Sequence, residues 1–279
     1  MTLNQWIRSP KGYVTAALSA CLLFASLGSG EAKGIGNAIA AVGLAVLADL
    51  VLRRLTRKKP VPPDGAAITG LIIALVLSTT ASWAVTAVTA VLAIGSKHFL
   101  TYKNKPVFNP AAFGLLLSII LFGTGQSWWG AFGDLPAWTV IVLLAGGYAV
   151  TDRVNKYPQV FAFFGTYFVL LLLMGLNGTG DAADALRPPF INAALFFGLF
   201  MLTDPPTSPA KPKEQVVFGV VAAGAGALVY ALFGGLMYLF IGLLLGNLYH
   251  WRKARLKVTG VRKENPSFGK TGKGTLGER

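Results

Sequence analysis

Long apolar stretches alternate along the chain with short polar, basic or proline-containing segments. A helix of about 20 apolar residues is long enough to cross the hydrocarbon core of a bilayer. The pattern therefore predicts an all-α polytopic membrane protein with a lead at 1–12, a transmembrane domain at 13–252 and a basic tail at 253–279 that composition predicts to be disordered. Ten apolar segments are predicted, at about 13–27, 35–52, 66–77, 83–94, 110–122, 137–150, 160–176, 190–202, 216–233 and 237–249.

Several segments are too short for a full span. Segments 66–77 and 83–94 are separated by a polar break, so they are either short tilted helices or one is a re-entrant half-helix that faces protein. Segment 190–202 is also short. An even division gives halves at about 13–124 and 137–252, in which 66–77 and 190–202 are both the third segment. An odd number of segments in each half inverts one half relative to the other.

The chain has 25 lysines and arginines, 11 acidic residues and a formal net charge of +14. In the ten-segment topology, all the bases except Lys33 and Arg187 fall on one side of the membrane. This bias predicts that both termini are cytoplasmic, in the inner or cytoplasmic membrane of a bacterial-type cell. Because the bases lie in loops between apolar segments, their partner is the bilayer surface, and we predict no nucleic-acid binding.

Composition also excludes several cofactors. The only cysteine, Cys21, cannot form a disulfide within the chain or supply the ligands of an iron–sulfur cluster. The two histidines, His98 and His250, lie at the borders of predicted segments, which argues against a bis-histidine haem inside the bilayer. We predict neither a metal site nor a catalytic residue.

Segment 190–202 runs directly into Thr203-Asp204-Pro205-Pro206-Thr207-Ser208-Pro209, where proline ends the helix. About 13 residues rise only about 20 Å, so Asp204 should lie below the membrane surface. A buried carboxylate needs partners, which the hydroxyls of Thr203, Thr207 and Ser208 can supply. The alternative is a helix stop at which Asp204 forms a border ion pair with Lys211, of little functional weight.

Two further polar residues are candidates for ion binding or coupling. Asn109 precedes Pro110 at the start of segment 110–122, and carbonyl groups freed near prolines coordinate hard cations. Asp49 lies near the end of segment 35–52, where it is either a coupling carboxylate or the partner of Arg53.

An ordered set of motifs runs from about Asp64 to His250. The motifs are Asp64-Gly65, Thr69-Gly70-Leu71-Ile72-Ile73-Ala74-Leu75, Lys97-His98, Phe108-Asn109-Pro110-Ala111-Ala112-Phe113-Gly114, Thr203 to Pro209, and Gly246-Asn247-Leu248. Together they resemble the RnfD component of the Rnf electron-transport complex and the NqrB component of the Na⁺-translocating NADH:quinone oxidoreductase. The resemblance implies ten helices in two inverted halves and a flavoprotein subunit that helps to move electrons across the membrane, coupled to Na⁺ or H⁺.

The family attaches FMN covalently to the last threonine of an Asp-x-x-Ser/Thr-Gly-Ala-Thr motif, and that motif is missing here. The nearest match, Thr124-Gly125-Gln126-Ser127, makes Ser127 the candidate acceptor, although a loop serine is the simpler interpretation. We therefore expect FMN or riboflavin to bind non-covalently. Besides Ser127, the candidate cofactor contacts are Lys97, His98, Asn109, Thr203, Thr207 and Ser208.

The leading hypothesis is an integral membrane subunit of an ion-translocating electron-transport complex, associated with flavin. Such a chain is at most one subunit of an oxidoreductase, because it has no means of taking electrons from NADH alone. It therefore requires other membrane subunits as partners. The alternative is a channel or transporter for a small solute or ion with the same inverted repeats and no redox chemistry. A third hypothesis is a purely structural membrane subunit.

Overall fold

The predicted apolar segments all form helices in the computed structural model, which describes residues 3–30, 32–57, 61–179 and 182–264. A π-helical turn, Phe197–Met201, follows α10, and the strands β1 (Thr101–Tyr102) and β2 (Lys105–Pro106) form a hairpin. Two 3₁₀ turns lie at Trp129–Ala131 and Ala137–Thr139. The helices are α1 Leu3–Ile7, α2 Pro10–Ser29, α3 Ala32–Leu55, α4 Asp64–Val76, α5 Trp83–Phe99, α6 Pro110–Phe122, α7 Val140–Val154, α8 Tyr157–Leu176, α9 Ala182–Ala185, α10 Phe190–Phe196, α11 Pro212–Phe233 and α12 Met237–Glu264.

Apolar composition and length agree with the prediction of an all-α polytopic membrane protein. Five of the described helices are long and apolar enough to cross a membrane: α2, α3, α7 with the turn before it, α8 and α11. The helices α4, α6 and α10 with its π turn are apolar but shorter.

The two ends of the chain differ from the prediction. The lead at 1–12 is helical over Leu3–Ile7, and α2 begins at Pro10 because the Ser9 side chain accepts the Gly12 N–H at 3.2 Å. The tail predicted to be disordered from residue 253 is instead helical as far as Glu264. Arginine, lysine, alanine and leucine dominate its first residues, and these are good helix formers. Residues 265–279 lie outside the described residues.

We call one end of the bundle the basic end, because the basic loops after α3, α5, α7 and α10 converge there. Lys11, in the first turn of α2, pairs with Asp64 at the start of α4 at 3.6 Å. The Asn247 side chain, near the basic end of α12, donates to the Thr207 carbonyl at 3.0 Å. These contacts place loops that are distant in sequence at the same end of the bundle.

The remaining connections meet at the opposite end. The Asn37 side chain at the start of α3 donates to the Thr79 carbonyl after α4 at 3.2 Å. The Asn192 side chain at the start of α10 donates to the Ala131 carbonyl in the loop after α6 at 2.9 Å. Successive long segments therefore alternate in direction. The short helix α4 ends at the opposite end whereas α10 ends at the basic end, so the two halves are inverted.

Small residues allow neighbouring helices to approach closely, as is typical of membrane bundles. A Cβ atom on Gly70 of α4 would lie 2.6 Å from the Val42 Cα of α3, and one on Gly219 of α11 would lie 2.5 Å from the Gln159 carbonyl oxygen of α8. The Gly219 contact brings the start of α8 against α11, beside the segment that follows α10.

Candidate functional site at the basic end

The site begins where α10 stops being a regular helix. In the π turn Phe197–Met201, the Leu202 N–H donates to the Phe197 carbonyl five residues earlier at 2.9 Å. Such turns occur often at functional sites. Pro205 and Pro206 then prevent the helix from continuing, so the last carbonyls of the segment must find donors elsewhere.

Two buried asparagines from different helices supply donors to this segment. Asn109 caps α6, since its Oδ1 accepts the Ala112 N–H at 3.1 Å, and its Nδ2 donates to the Met201 carbonyl at 3.1 Å. Its backbone N–H donates to Asn247 Oδ1 at 2.8 Å, and Asn247 Nδ2 donates to the Thr207 carbonyl. The pair thus connects α6 and α12 to both sides of Asp204.

Side chains at the start of α8 also donate hydrogen bonds to the segment that follows α10. Gln159 Nε2 donates to the Leu202 carbonyl at 2.5 Å, and Lys156 Nζ donates to the Pro209 carbonyl at 2.5 Å. Both side chains are buried. The carbonyls at 201, 202, 207 and 209 are therefore all bound by side-chain donors.

Asp204 lies at the centre of this arrangement and is partly buried. Its Oδ2 accepts a hydrogen bond from Thr207 Oγ1 at 2.7 Å, and its backbone carbonyl accepts one from Ser208 Oγ at 2.7 Å. Thr203 Oγ1 instead donates back to the Leu199 carbonyl at 2.8 Å. Of the three predicted hydroxyl partners, Thr207 alone binds the carboxylate.

Burial raises the pKa of Asp204, while the Thr207 hydrogen bond and the charges of Lys97 and Lys156 act in the opposite direction. Burial likewise lowers the pKa of Lys156 to about 8, against the effect of Asp204. Lys211 is exposed, and among the described residues no ion pair joins it to Asp204.

A second carboxylate, Asp49 on α3, is fully buried at the same end. Arg53 Nε lies 2.6 Å from its Oδ2, as the sequence allowed. Lys97 Nζ and His98 Nε2, both on α5, lie 3.2 Å and 2.8 Å from its Oδ1. The Lys97 and His98 side chains, which are candidate cofactor contacts, both bind this carboxylate.

Lys97 contacts Asp49, and its charge also acts on Asp204. All but one of the predicted site residues lie at the basic end. The exception is Ser127, at the opposite end. Its N–H donates to the Val76 carbonyl at 3.1 Å, and its Oγ is buried without a hydrogen-bond partner in the part of the chain that the structure describes.

Four buried polar residues of this end were not predicted as site residues: Lys156, Gln159, Gln215 and Asn247. Gln215 Nε2 donates to the carbonyls of Asn155 and Ala210, which ties the start of α11 to the loop before α8. The available signal was a polar residue in the first or last turn of an apolar helix beside a basic loop. That signal is weak, because ordinary membrane-border residues give it as well.

No cluster suited to a transition metal is found at this end within the described residues. No group of three histidine, cysteine or acidic side chains is placed to hold a metal ion. The cavity beside Thr207 has a volume of about 250 Å³. Pockets that enclose a drug-sized ligand measure about 300–1,000 Å³, so this cavity would hold only part of a flavin nucleotide.

The fold and this end together define a polytopic membrane protein of inverted halves, with a carboxylate held beside a broken helix. The chain belongs to the NQR2, RnfD, RnfE family, whose family model matches it over two repeats, at residues 4–136 and 124–249. A search of curated proteins finds no match to this chain. Family membership confirms the resemblance inferred from the sequence motifs and makes the chain a membrane subunit of the Rnf/Nqr type.

Proposed function

We propose that this subunit takes part in ion-translocating electron transport and that Asp204 binds the coupling ion, Na⁺ or H⁺. The observation that carries the proposal is the attachment of the Asp204 segment to side chains from both halves of the molecule. Asn109 lies in the first half, while Asn247, Gln159 and Lys156 lie in the second. A relative movement of the halves would therefore change the surroundings of the carboxylate.

The oxygen atoms of this segment suit a hard cation or a proton. Asp204 contributes a carboxylate and Thr207 a hydroxyl, and the Met201 and Leu202 carbonyls lie within a few residues along the chain. Hard cations prefer such oxygen ligands. Broken membrane helices place ion sites of this kind between the repeats of transporters.

We further propose that FMN or riboflavin binds non-covalently, shared between this chain and a neighbouring membrane subunit. Two observations support this. The cavity at the basic end is too small to enclose a flavin nucleotide, so the flavin would lie outside it, against a neighbouring subunit. The Ser127 hydroxyl is buried against the end of α4, where a phosphate ester would not fit without displacing the loop.

The ion-binding role is tested by Asp204→Asn in membrane vesicles from cells in which the variant replaces the native chain. We expect electron-transfer-driven ion uptake to fall at least tenfold per inserted subunit, because the amide keeps the Thr207 hydrogen bond but loses the charge. Asp64→Asn is the matched control, since Asp64 forms only a half-exposed pair with Lys11 and should leave uptake unchanged. Asp49→Asn, compared per folded subunit, should be much milder than Asp204→Asn. Equal, mild effects of all three variants would make Asp204 only a helix stop.

The flavin proposal is tested on the purified full-length chain and on the same chain with its membrane partners. We expect flavin absorption bands that disappear from the protein after acid denaturation, more strongly in the preparation with partners. A fluorescent flavin that stays with the chain in a denaturing gel would contradict this, and its loss in Ser127→Ala would then identify the acceptor. Ion flux without electron donors in a flavin-free preparation would favour the channel hypothesis.

The orientation is tested with a single cysteine at Gly125, an open position at the opposite end, in a Cys21→Ser background. We expect an impermeant thiol reagent to label Gly125→Cys from outside intact cells. Labelling only after the cells are opened would reverse the proposed orientation.

A further inference from the structure

A cavity of about 250 Å³ at the basic end has an unusual lining. It lies between the β1–β2 hairpin, the segment after α10 and the middle of α12. Among the described residues that line it, none is acidic. Its polar and aromatic lining residues are Lys103, Lys105, His250, Tyr102, Trp251 and Thr207.

Aromatic rings contact one lysine of the lining, Lys103, and a neighbouring arginine, Arg255. Tyr102 and Trp251 meet edge to face with ring centroids 6.5 Å apart, which joins the hairpin to α12. Lys103 Nζ lies 5.6 Å from the Tyr102 ring centroid, and the Arg255 guanidinium lies 5.5 Å from that of Trp251. Cation–π contacts of this length position a charge and leave its remaining hydrogen-bond donors available.

The hairpin places its lysines through an uncommon backbone conformation. Lys103 and Asn104 both have positive φ, at 50° and 61°. This geometry makes the tight two-residue turn of a hairpin, for which asparagine is well suited and lysine is not. Residues held in such conformations cluster at functional sites. The turn directs the chain so that Lys103 and Lys105 both line the same cavity.

The cavity also lies at the depth of a membrane surface. The apolar part of α12 ends at Tyr249, and His250, Trp251, Arg252 and Lys253 follow directly. Aromatic and basic residues are enriched at this boundary, where lipid headgroups lie. A phosphate at that depth would meet a lining that includes two lysines, a histidine and two aromatic rings.

We propose that this cavity binds the phosphate group of an anionic phospholipid of the same leaflet. A soluble phosphate ester has the same recognition chemistry, and the membrane depth of the cavity favours the lipid. The inference goes beyond the proposed function, because it requires neither a flavin nor an ion. Since Pro206 and Thr207 form one wall, a bound lipid would contact the segment that carries Asp204.

The test uses the delipidated full-length chain in detergent and three probes: phosphatidylglycerol, phosphatidylcholine and inorganic phosphate. The unfolding temperature is followed during each titration. The cavity variant is Lys103→Gln with Lys105→Gln. The matched control is Arg54→Gln with Lys213→Gln, which removes two charges from exposed positions of the same end outside the cavity.

We expect phosphatidylglycerol to stabilise the native chain more than phosphatidylcholine does. The apparent Kd for phosphatidylglycerol should rise roughly tenfold or more in the cavity variant, because each basic residue near the surface contributes about 1 kcal/mol. The control variant should bind as the native chain does. Stabilisation by inorganic phosphate alone, lost in the cavity variant, would overturn the lipid as ligand in favour of a soluble phosphate ester. Equal losses in both variants, or no stabilisation by either anion, would overturn the site itself.

Discussion

The two short helices α4 and α10 both stop inside the bundle, yet their freed carbonyls are satisfied in different ways. At the end of α4, the Val76 carbonyl accepts the N–H groups of Ser127 and Trp128, and the Gly125 carbonyl accepts the Ser78 N–H. Backbone N–H groups therefore form most of the hydrogen bonds at this junction. At the end of α10, the Met201, Leu202, Thr207 and Pro209 carbonyls all accept bonds from side chains.

This difference separates a structural junction from one that can change. Backbone donors are present whatever the sequence, so the α4 junction needs little specific chemistry. Side-chain donors can withdraw without unfolding a helix, and they belong to helices of both halves. The two inverted halves thus each contain a short helix that stops inside the bundle. The end of α4 is held mainly by backbone hydrogen bonds, whereas the end of α10 surrounds an ionisable group, Asp204.

The largest expected effect comes from removing the amide that links both sides of the α10 junction. Asn247→Leu leaves the buried Asn109 N–H and the Thr207 carbonyl without partners, which costs about 1–3 kcal/mol for each group. We expect a clear fall in unfolding temperature in detergent and, per folded chain, a loss of ion uptake. Normal uptake by the folded variant would show that the α10 junction is as purely structural as the α4 junction.

The matching change at the α4 junction should have about half that effect on stability. Trp129 Nε1 donates to the Ala74 carbonyl at 2.7 Å, and Trp129→Phe removes this one bond while keeping a large ring. We expect a cost of about 1–3 kcal/mol in the free energy of unfolding. Ion uptake per folded chain should stay unchanged. A loss of uptake as large as that of Asn247→Leu would end the distinction between the two junctions.

The smallest effect concerns pH and the buried Lys156 at the α10 junction. Burial lowers its pKa from 10.5 to about 8, so between these values the unfolded chain holds a proton that the folded chain has released. The free energy of unfolding should therefore rise with pH across this window, and the cost of burying the ammonium is fully present below about pH 8. The check is the unfolding temperature across this range for the native chain and for Lys156→Met, which should lack this contribution. The same change at exposed Lys211 should leave the rise intact, and an equal slope in all three proteins would contradict the assignment.

Much of the fold was predictable because its determinants are local. Proline marks the start of α6 at the predicted residue and the stop after α10, and apolar runs indicated the helices of the bundle. The contact between Asp204 and Thr207 was also predictable from the sequence, since the two residues lie three positions apart. The long-range assembly was not, because the Asn109–Asn247 bond joins residues 138 positions apart.

Two features of the site depend on tertiary contacts that the sequence does not reveal. The Asp49 cluster depends on α3 and α5 meeting at their last turns, which places Lys97 beside a carboxylate 48 positions earlier. The cation nearest in sequence to Asp204 was Lys211, but the tertiary fold supplies Lys97 and Lys156 instead. Charges near a membrane border have several partners within reach, and only the packing of the helices selects among them.

The π turn at Phe197–Met201 also acts as a phase shift in the helix. It accommodates one residue more than an α-helical path would, and each α-helical residue advances about 100° around the axis and 1.5 Å along it. A purely α-helical α10 would therefore present the residues after the turn about a quarter turn away from their present direction. The extra residue sets the rotation at which the broken helix meets its partners, so the length of this apolar segment is as much a part of the site as its polar residues.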